Sequence, residues 1–289
     1  MTLTCAEPDL GPKLTPITMI SRKNSWRAFL YRRLARWITC EVRLLGRHPL
    51  ALDNKFQVNS LQDVFCSPFY WQLYSWVQSP PNLVVDLGAH CAHFSMLADI
   101  CFRARFGEVQ PEYVLIEPNP RLMPVIIRNL RRSGLCPRNL VRQGLVGATR
   151  TGRGTLWVSS KNFLSASLQQ APATRGVEVD YIDLEAIIGG RPIDLLKIDI
   201  EGAEYDFVDN YPDLLEQARV VLMEIHQAPE ERQRSLFARL SDAGLRLAAK
   251  PLRNEAFVLA MFRKSDAAES DTAVPAPALE YDLKACRLI

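Results

Sequence analysis

The sequence has little net charge, no cysteine pair at metal-ligand spacing and no apolar run fit to span a membrane. Lys and Arg number 35 against 32 Asp and Glu, a formal balance of +3, too small to imply a nucleic-acid partner. Seven cysteines (5, 40, 66, 91, 101, 136 and 286) lie scattered, with no CxxC motif. That usage fits a reduced compartment rather than a disulfide framework or a zinc site. Residues 66–85 carry no charge, but Gln72, Gln78, Pro80, Pro81 and Asn82 interrupt them. The opening MTLTCAEPDLGPK lacks the charged-then-apolar layout of a leader, and no internal repeat is visible. A soluble, cytoplasmic chain is expected. Its 289 residues, 48% hydrophobic, are enough for a full core.

Four stretches follow one another. Residues 1–20 read as a flexible arm. Residues 21–59 read as a basic helical extension, with Trp26, Leu30, Leu34, Trp37 and Ile38 at helical spacing over 21–47 among Arg22, Lys23, Arg27, Arg32, Arg33, Arg36 and Arg43. Such a helix packs on its own domain or touches the inner face of a membrane peripherally. Residues 60–264 form the main domain, and 265–289 a low-complexity tail.

Within the main domain an aromatic-rich helix over 60–79 stops at Pro80-Pro81. Strands are then expected at 83–86, 113–117, 140–143, 194–199 and 220–225, with a closing pair at 245–249 and 257–262. Helices are expected at 91–106, 121–133 (ended by Gly134), 203–217 and 230–243, with a hairpin insertion in 147–180. This alternation is the signature of an α/β fold: a mostly parallel sheet with helices on both faces.

Ligands of such sheets bind beyond the carboxyl ends of the strands. The first strand ends in Asp86-Leu87-Gly88-Ala89-His90-Cys91-Ala92. Gly88 permits a tight turn and close approach of the backbone, and histidine is among the residues enriched at positive φ. The second ends in Leu115-Ile116-Glu117-Pro118-Asn119-Pro120, where a carboxylate can accept hydrogen bonds from both hydroxyls of a ribose. An acid at a helix start is favourable without any ligand. The fourth long strand ends in Lys197-Ile198-Asp199-Ile200-Glu201-Gly202-Ala203-Glu204, a charge cluster that demands partners. Purely structural roles exist here too: Lys197 pairing with an acid, Glu204 serving the first helical turn. The fifth brings Glu224 and His226 to the same rim. Together these ends indicate a nucleoside-containing cofactor, nicotinamide or sulfonium.

The segments VVDLGAHCAHFS (84–95), LIEPNP (115–120), DLLKIDIEGAEYDFV (194–208) and MEIH (223–226) resemble the FkbM family of methyltransferases. VDYIDL (179–184) is similar to that family's T-L-D-D-L stretch, and SLQDVF (60–65) to the segment before its sheet. The chain departs from the family where His90 and Ala92 stand in place of Asn and Gly. The resemblance implies a Rossmann-like, class I methyltransferase fold of seven strands with the last antiparallel, S-adenosylmethionine as donor, and O-methylation of a sugar, glycolipid or secondary metabolite. It implies that Asp86, Gly88, Ala89 and the adjoining His90 line the amino-acid end of the cofactor, that Glu117 binds the ribose, and that Asn119, Gln143 and Gly144 lie toward the adenine. Asp199, Glu201 and His226 are then the catalytic candidates facing the methyl group and the acceptor, with His226 as general base and the two acids orienting the acceptor. The same acids could bind a divalent cation, but no dedicated ligand set of defined spacing exists, so no metal is expected. The partner expected is a small-molecule or carbohydrate acceptor. A nicotinamide-dependent oxidoreductase and a non-catalytic interaction module of the same fold are the alternatives.

Overall fold

The strands Leu83–Leu87 and Leu195–Ile198 are buried at every position, as strands covered on both faces must be. They form the centre of the molecule, and their carboxyl ends carry the charged turns. The computed structural model describes residues 40–44, 48–52, 55–65, 67–135, 139–159, 166–168, 170–253 and 256–264. The expected arm over 1–20, most of the basic helix, and the tail over 265–289 lie outside the described residues.

A hairpin of β1 (Cys40–Leu44) and β2 (His48–Leu52) precedes α1 (Lys55–Phe65) and two single-turn helices, α2 (Pro68–Trp71) and α3 (Leu73–Trp76). The strand at Cys40–Leu44 replaces the last part of the helix expected over 21–47. The helix expected over 60–79 is likewise split, because Pro68 has no N–H to donate and starts a new turn. The alternating region follows with β3 (Leu83–Leu87), α4 (His93–Phe106), β4 (Glu112–Glu117), α5 (Met123–Ser133) and β5 (Asn139–Gln143). The insertion is an antiparallel sheet of β6 (Arg153–Ser159), β7 (Ala166–Ser167) and β8 (Thr174–Asp180). Then come α6 (Leu184–Ile188), β9 (Leu195–Ile198), α7 (Glu204–Asn210), α8 (Pro212–Gln217), β10 (Val220–His226), α9 (Glu230–Asp242), β11 (Leu245–Leu247), β12 (Leu252–Arg253) and β13 (Phe257–Lys264).

The main sheet has eight strands, in the order β11-β13-β10-β9-β3-β4-β5 with the two-residue β12 added against β13. The five strands from β10 to β5 run parallel, and β13 is antiparallel to β10. This is the expected architecture with one short strand more than seven. Successive residues face opposite cores: Leu195 and Leu222 pack with α1 and α4, whereas Leu196 and Val221 pack with α7 and α9.

Two breaks have local causes. Gly134, at φ 78, ends α5 in the left-handed conformation that glycine adopts without a Cβ clash. The helix expected over 203–217 divides at Tyr211 (φ −127, ψ 49), because the proline that follows disfavours helical backbone at the residue before it. Opposite the site, the buried Asp194 ties the strand starts together. Its Oδ2 accepts the N–H groups of Asn82 (2.7 Å) and Leu83 (3.1 Å), and its Oδ1 meets Arg219 Nη1 at 2.9 Å. Among the described residues no helix is long and apolar enough to cross a membrane.

Candidate active site

Register lines up the strand ends. Leu87 pairs with Ile116 on one side and Ile198 on the other, and Ile198 pairs with Met223. The residues one step beyond therefore form a row across four strands: Glu117, Gly88, Asp199 and Glu224. Gln143, opposite Glu117 on β5, extends it.

Gly88 is required where it stands. Its φ is 73, and a Cβ there would lie 1.7 Å from the Asp199 carbonyl oxygen. The N–H groups of Gly88 and Ala89 both reach the Ile116 carbonyl, at 2.9 and 3.0 Å. His90 (φ 49) and Ala92 (φ 62) then take the left-handed conformation without being glycine, which costs roughly 1–2 kcal/mol per residue. Ser60 Oγ, from α1, lies 3.0 Å from Nδ1 of both His90 and His93 and so braces this turn. Burial, then the nearby His90, push the His93 imidazole down to about 3, so it is neutral.

Glu117 joins the first two turns. Its Oε2 accepts the His90 N–H at 2.8 Å and its Oε1 the Asn119 N–H at 2.9 Å. Each oxygen retains a lone pair for a hydroxyl donor. The carboxyl group is 5% exposed. Burial pushes it up to about 7, against the opposing pull of the two N–H groups and Lys197.

Lys197 binds the first turn to the acidic one. Its Nζ donates to the carbonyl oxygens of Gly88 (2.8 Å) and Leu87 (3.3 Å) and lies 3.3 Å from Asp86 Oδ1 and 3.2 Å from Asp199 Oδ2. Burial works against its charge, but Asp199 and Asp86 outweigh it and hold the ammonium above its ordinary range. The sequence left open whether Lys197 pairs with an acid, and it pairs with two.

The acidic turn is shaped from within. Glu204 is fully buried, and its Oε1 accepts the N–H groups of Ile200 (3.3 Å) and Gly202 (3.1 Å). The same oxygen lies 3.0 Å from His226 Nδ1. Glu201, more than half exposed, sits at φ 55. His226 Nε2 is 3.6 Å from Glu201 Oε2 and 3.7 Å from Glu224 Oε1. Burial alone would lower the imidazole, yet the hydrogen bond to Glu204 and the surrounding acids push it up to about 9. Burial and the charge of Asp199 raise Glu224 above the ordinary carboxylate range, while His226 pulls it back.

The candidates from sequence thus divide. Glu117, Gly88, Ala89 and His90 meet at the first turn, and Asp199, Glu201 and His226 meet at the acidic one. Asp86 is fully buried, with Ser95 Oγ donating to its Oδ2 at 2.7 Å. It lies beneath the turn, in contact with Lys197 and Ser95. Asn119 is also fully buried, and its Oδ1 accepts the Arg121 N–H at 3.1 Å. It shapes the start of the next segment instead of facing the adenine side. Gln143 is exposed at the end of β5, and Gly144, whose N–H reaches the Glu117 carbonyl at 3.3 Å, packs against Ile182. Glu224, at the same rim as His226 in the sequence, shares its strand face two residues away. Tyr70, on α2, also enters the picture. Its buried hydroxyl is raised by burial and then by Asp199, Glu224 and Asp86, and no sequence pattern marks it. Among the described residues no group of three or more His, Cys, Asp or Glu side chains is arranged to hold a metal ion.

A mostly parallel sheet with an antiparallel strand after the fifth parallel one is the Rossmann-like architecture of class I methyltransferases. The chain belongs to the FkbM methyltransferase family: the model described as "Methyltransferase FkbM domain" matches residues 86–247. That membership decides against the nicotinamide-dependent alternative. No curated protein matches the chain. Among solved structures, an O-methyltransferase from Bacillus cereus in complex with SAH is 14% identical, with a TM-score of 0.43 over 72% of this chain and 88% of that one. Precorrin-6y C5,15-methyltransferase from Geobacter metallireducens is 12% identical, with a TM-score of 0.40 over 68% of this chain and 87% of its own. Fibrillarin from Aeropyrum pernix, with natively bound S-adenosyl-L-methionine, is 12% identical, with a TM-score of 0.40 over 78% and 83%.

Proposed function

We propose that the protein transfers the methyl group of S-adenosylmethionine to a hydroxyl of a small-molecule or carbohydrate acceptor. The observation that carries this reading is the register row Glu117, Gly88, Asp199, Glu224, with a hydroxyl-accepting carboxylate at one end and an acidic rim at the other. Six carboxylates (Asp86, Glu117, Asp199, Glu201, Glu204 and Glu224) gather there around two cations, Lys197 and His226. Such an excess suits a cationic sulfonium and an acceptor rich in hydrogen-bond donors.

The residues present fit the donor. Glu117 has lone pairs left for the ribose hydroxyls, and Gly88 lets the chain approach closely where a side chain would collide. Bound there, the donor supplies an electrophilic methyl group. Asp199, Glu201 and Glu224 hold the acceptor oxygen beside it, and positioning provides much of the acceleration. The turn at Gly88–His90 excludes water from the amino-acid end.

Titration calorimetry tests the reading with S-adenosylmethionine, S-adenosylhomocysteine and NADH as probes. Heat is expected from the first two and none from NADH. Glu117→Ala is expected to weaken binding tenfold to a hundredfold, about 1.5–3 kcal/mol for hydrogen bonds to a charged group. Folded protein that binds neither sulfur ligand would refute the proposal.

A further inference from the structure

The two nitrogens of His226 face carboxylates on both sides. Nδ1 lies 3.0 Å from Glu204 Oε1, an oxygen already accepting two backbone N–H groups from the acidic turn. An acceptor so engaged takes a proton from Nδ1, and Nδ1 therefore carries one. A neutral ring would then turn the lone pair of Nε2 toward Glu201 Oε2 and Glu224 Oε1, at 3.6 and 3.7 Å. Lone pair against carboxylate is repulsive, so Nε2 carries a proton as well. The remaining neighbour from another element is uncharged: the Phe257 ring of β13, with its centroid 6.0 Å away. With protons on both nitrogens the ring has no lone pair for catalysis.

We infer that His226 is a positioning residue held as an imidazolium, and that it favours the ionised form of Glu224, which takes the proton of the acceptor hydroxyl. This rests on the hydroxyl-methylation reading above. Glu224 follows the register row on a rigid strand, and its side chain is 15% exposed. Glu201 stands on a turn at positive φ with 58% of its side chain exposed, where water competes for it. Asp199 is tied to Lys197 at 3.2 Å. The groups facing Glu224 are Lys197 of β9, Asp199 and Glu201 of the acidic turn, His226 of its own strand, and the Tyr70 hydroxyl of α2. Burial and Asp199 push its carboxyl up to about 8 against the pull of His226, close to the pH at which a general base works best. In the transfer, the new O–C bond forms as the C–S bond breaks with its electron pair left on sulfur. The hydroxyl proton passes to Glu224. One sulfonium charge and one carboxylate charge disappear together, leaving a thioether, a methyl ether and a carboxylic acid.

The test is heteronuclear NMR on the full chain with 15N-histidine and 13C-carboxyl glutamate labels, titrated from pH 4 to 10. The sequence has four histidines, and His226→Gln identifies the relevant signal. In the wild type both His226 nitrogens are expected in the cationic state at pH 7.5, with loss of the proton above pH 8. Glu204→Gln should lower the His226 proton affinity at least tenfold. The Glu224 carboxyl, assigned with Glu224→Gln, should titrate well above pH 5, and its midpoint should rise at least threefold in proton affinity in His226→Gln. A neutral His226 ring at pH 7.5 overturns the proposal. So does a Glu224 carboxyl titrating at pH 4–5, or one indifferent to His226. Where a variant fails to fold, through-bond assignment of the wild-type spectra identifies the same signals. Methyl transfer to carbon or nitrogen would refute the hydroxyl reading and leave the His226 measurement standing, so the two failures are distinguishable.

Discussion

The two ends of the main sheet treat buried acid in opposite ways. At the amino end, Asp194 is satisfied by two N–H groups and one arginine, and the residues around it keep ordinary backbone angles. At the carboxyl end, five carboxylates share two cations, and His90, Ala92 and Glu201 are held at positive φ. Strain and unbalanced charge gather where a ligand is to be bound, and the opposite end carries the stability that lets them persist.

The largest effect expected from breaking this contrast is at Gly88. Gly88→Ala places a methyl group against the Asp199 carbonyl at a positive φ, and the combined clash and strain should cost about 4 kcal/mol in urea unfolding and abolish cofactor binding. Next is Asp194→Ala, which strips two N–H groups and Arg219 of their acceptor. A loss of roughly 3 kcal/mol is expected from charged hydrogen bonds, with S-adenosylhomocysteine affinity unchanged in calorimetry. Equal damage to binding would mean that the two ends are not separable.

A smaller effect is expected in pH dependence. Glu117 is raised to about 7, foremost by burial. Its ionised form is therefore disfavoured in the empty fold, and its contribution to stability falls as pH rises from the unfolded carboxylate range through about 7. Ribose hydroxyls donate to the ionised form, so affinity for S-adenosylhomocysteine should rise with pH up to about 7, by at most about tenfold per pH unit, and then level. Glu117→Gln should remove that slope in calorimetry between pH 5.5 and 8, and a slope that survives would deny Glu117 the role. The smallest effect is at Ala92, where glycine relieves the left-handed strain but surrenders a buried methyl group. Ala92→Gly should stabilise by at most about 1 kcal/mol, read as a small rise in the thermal midpoint.

Much of this was legible in the sequence. The alternation of strands and helices, Gly134 as a helix stop, Gly88 as a tight turn and the family resemblance all rest on local spacing or on residue types with one conformational use. The misplacements also have local causes: prolines at 68 and 212 cut helices that hydrophobic periodicity alone would have continued.

The sequence by itself determined which residues stand at strand ends, because periodicity and turn chemistry act within a few residues. Only the tertiary structure decided which of those ends meet. Register across β4, β3, β9 and β10 brought Glu117, Gly88, Asp199 and Glu224 into one row. Burial removed Asp86 and Asn119 from the surface of the site. The ring of Glu204, Glu201 and Glu224 set the charge of His226. Register, burial and charge state depend on residues far apart in the chain, and no short window of sequence contains them.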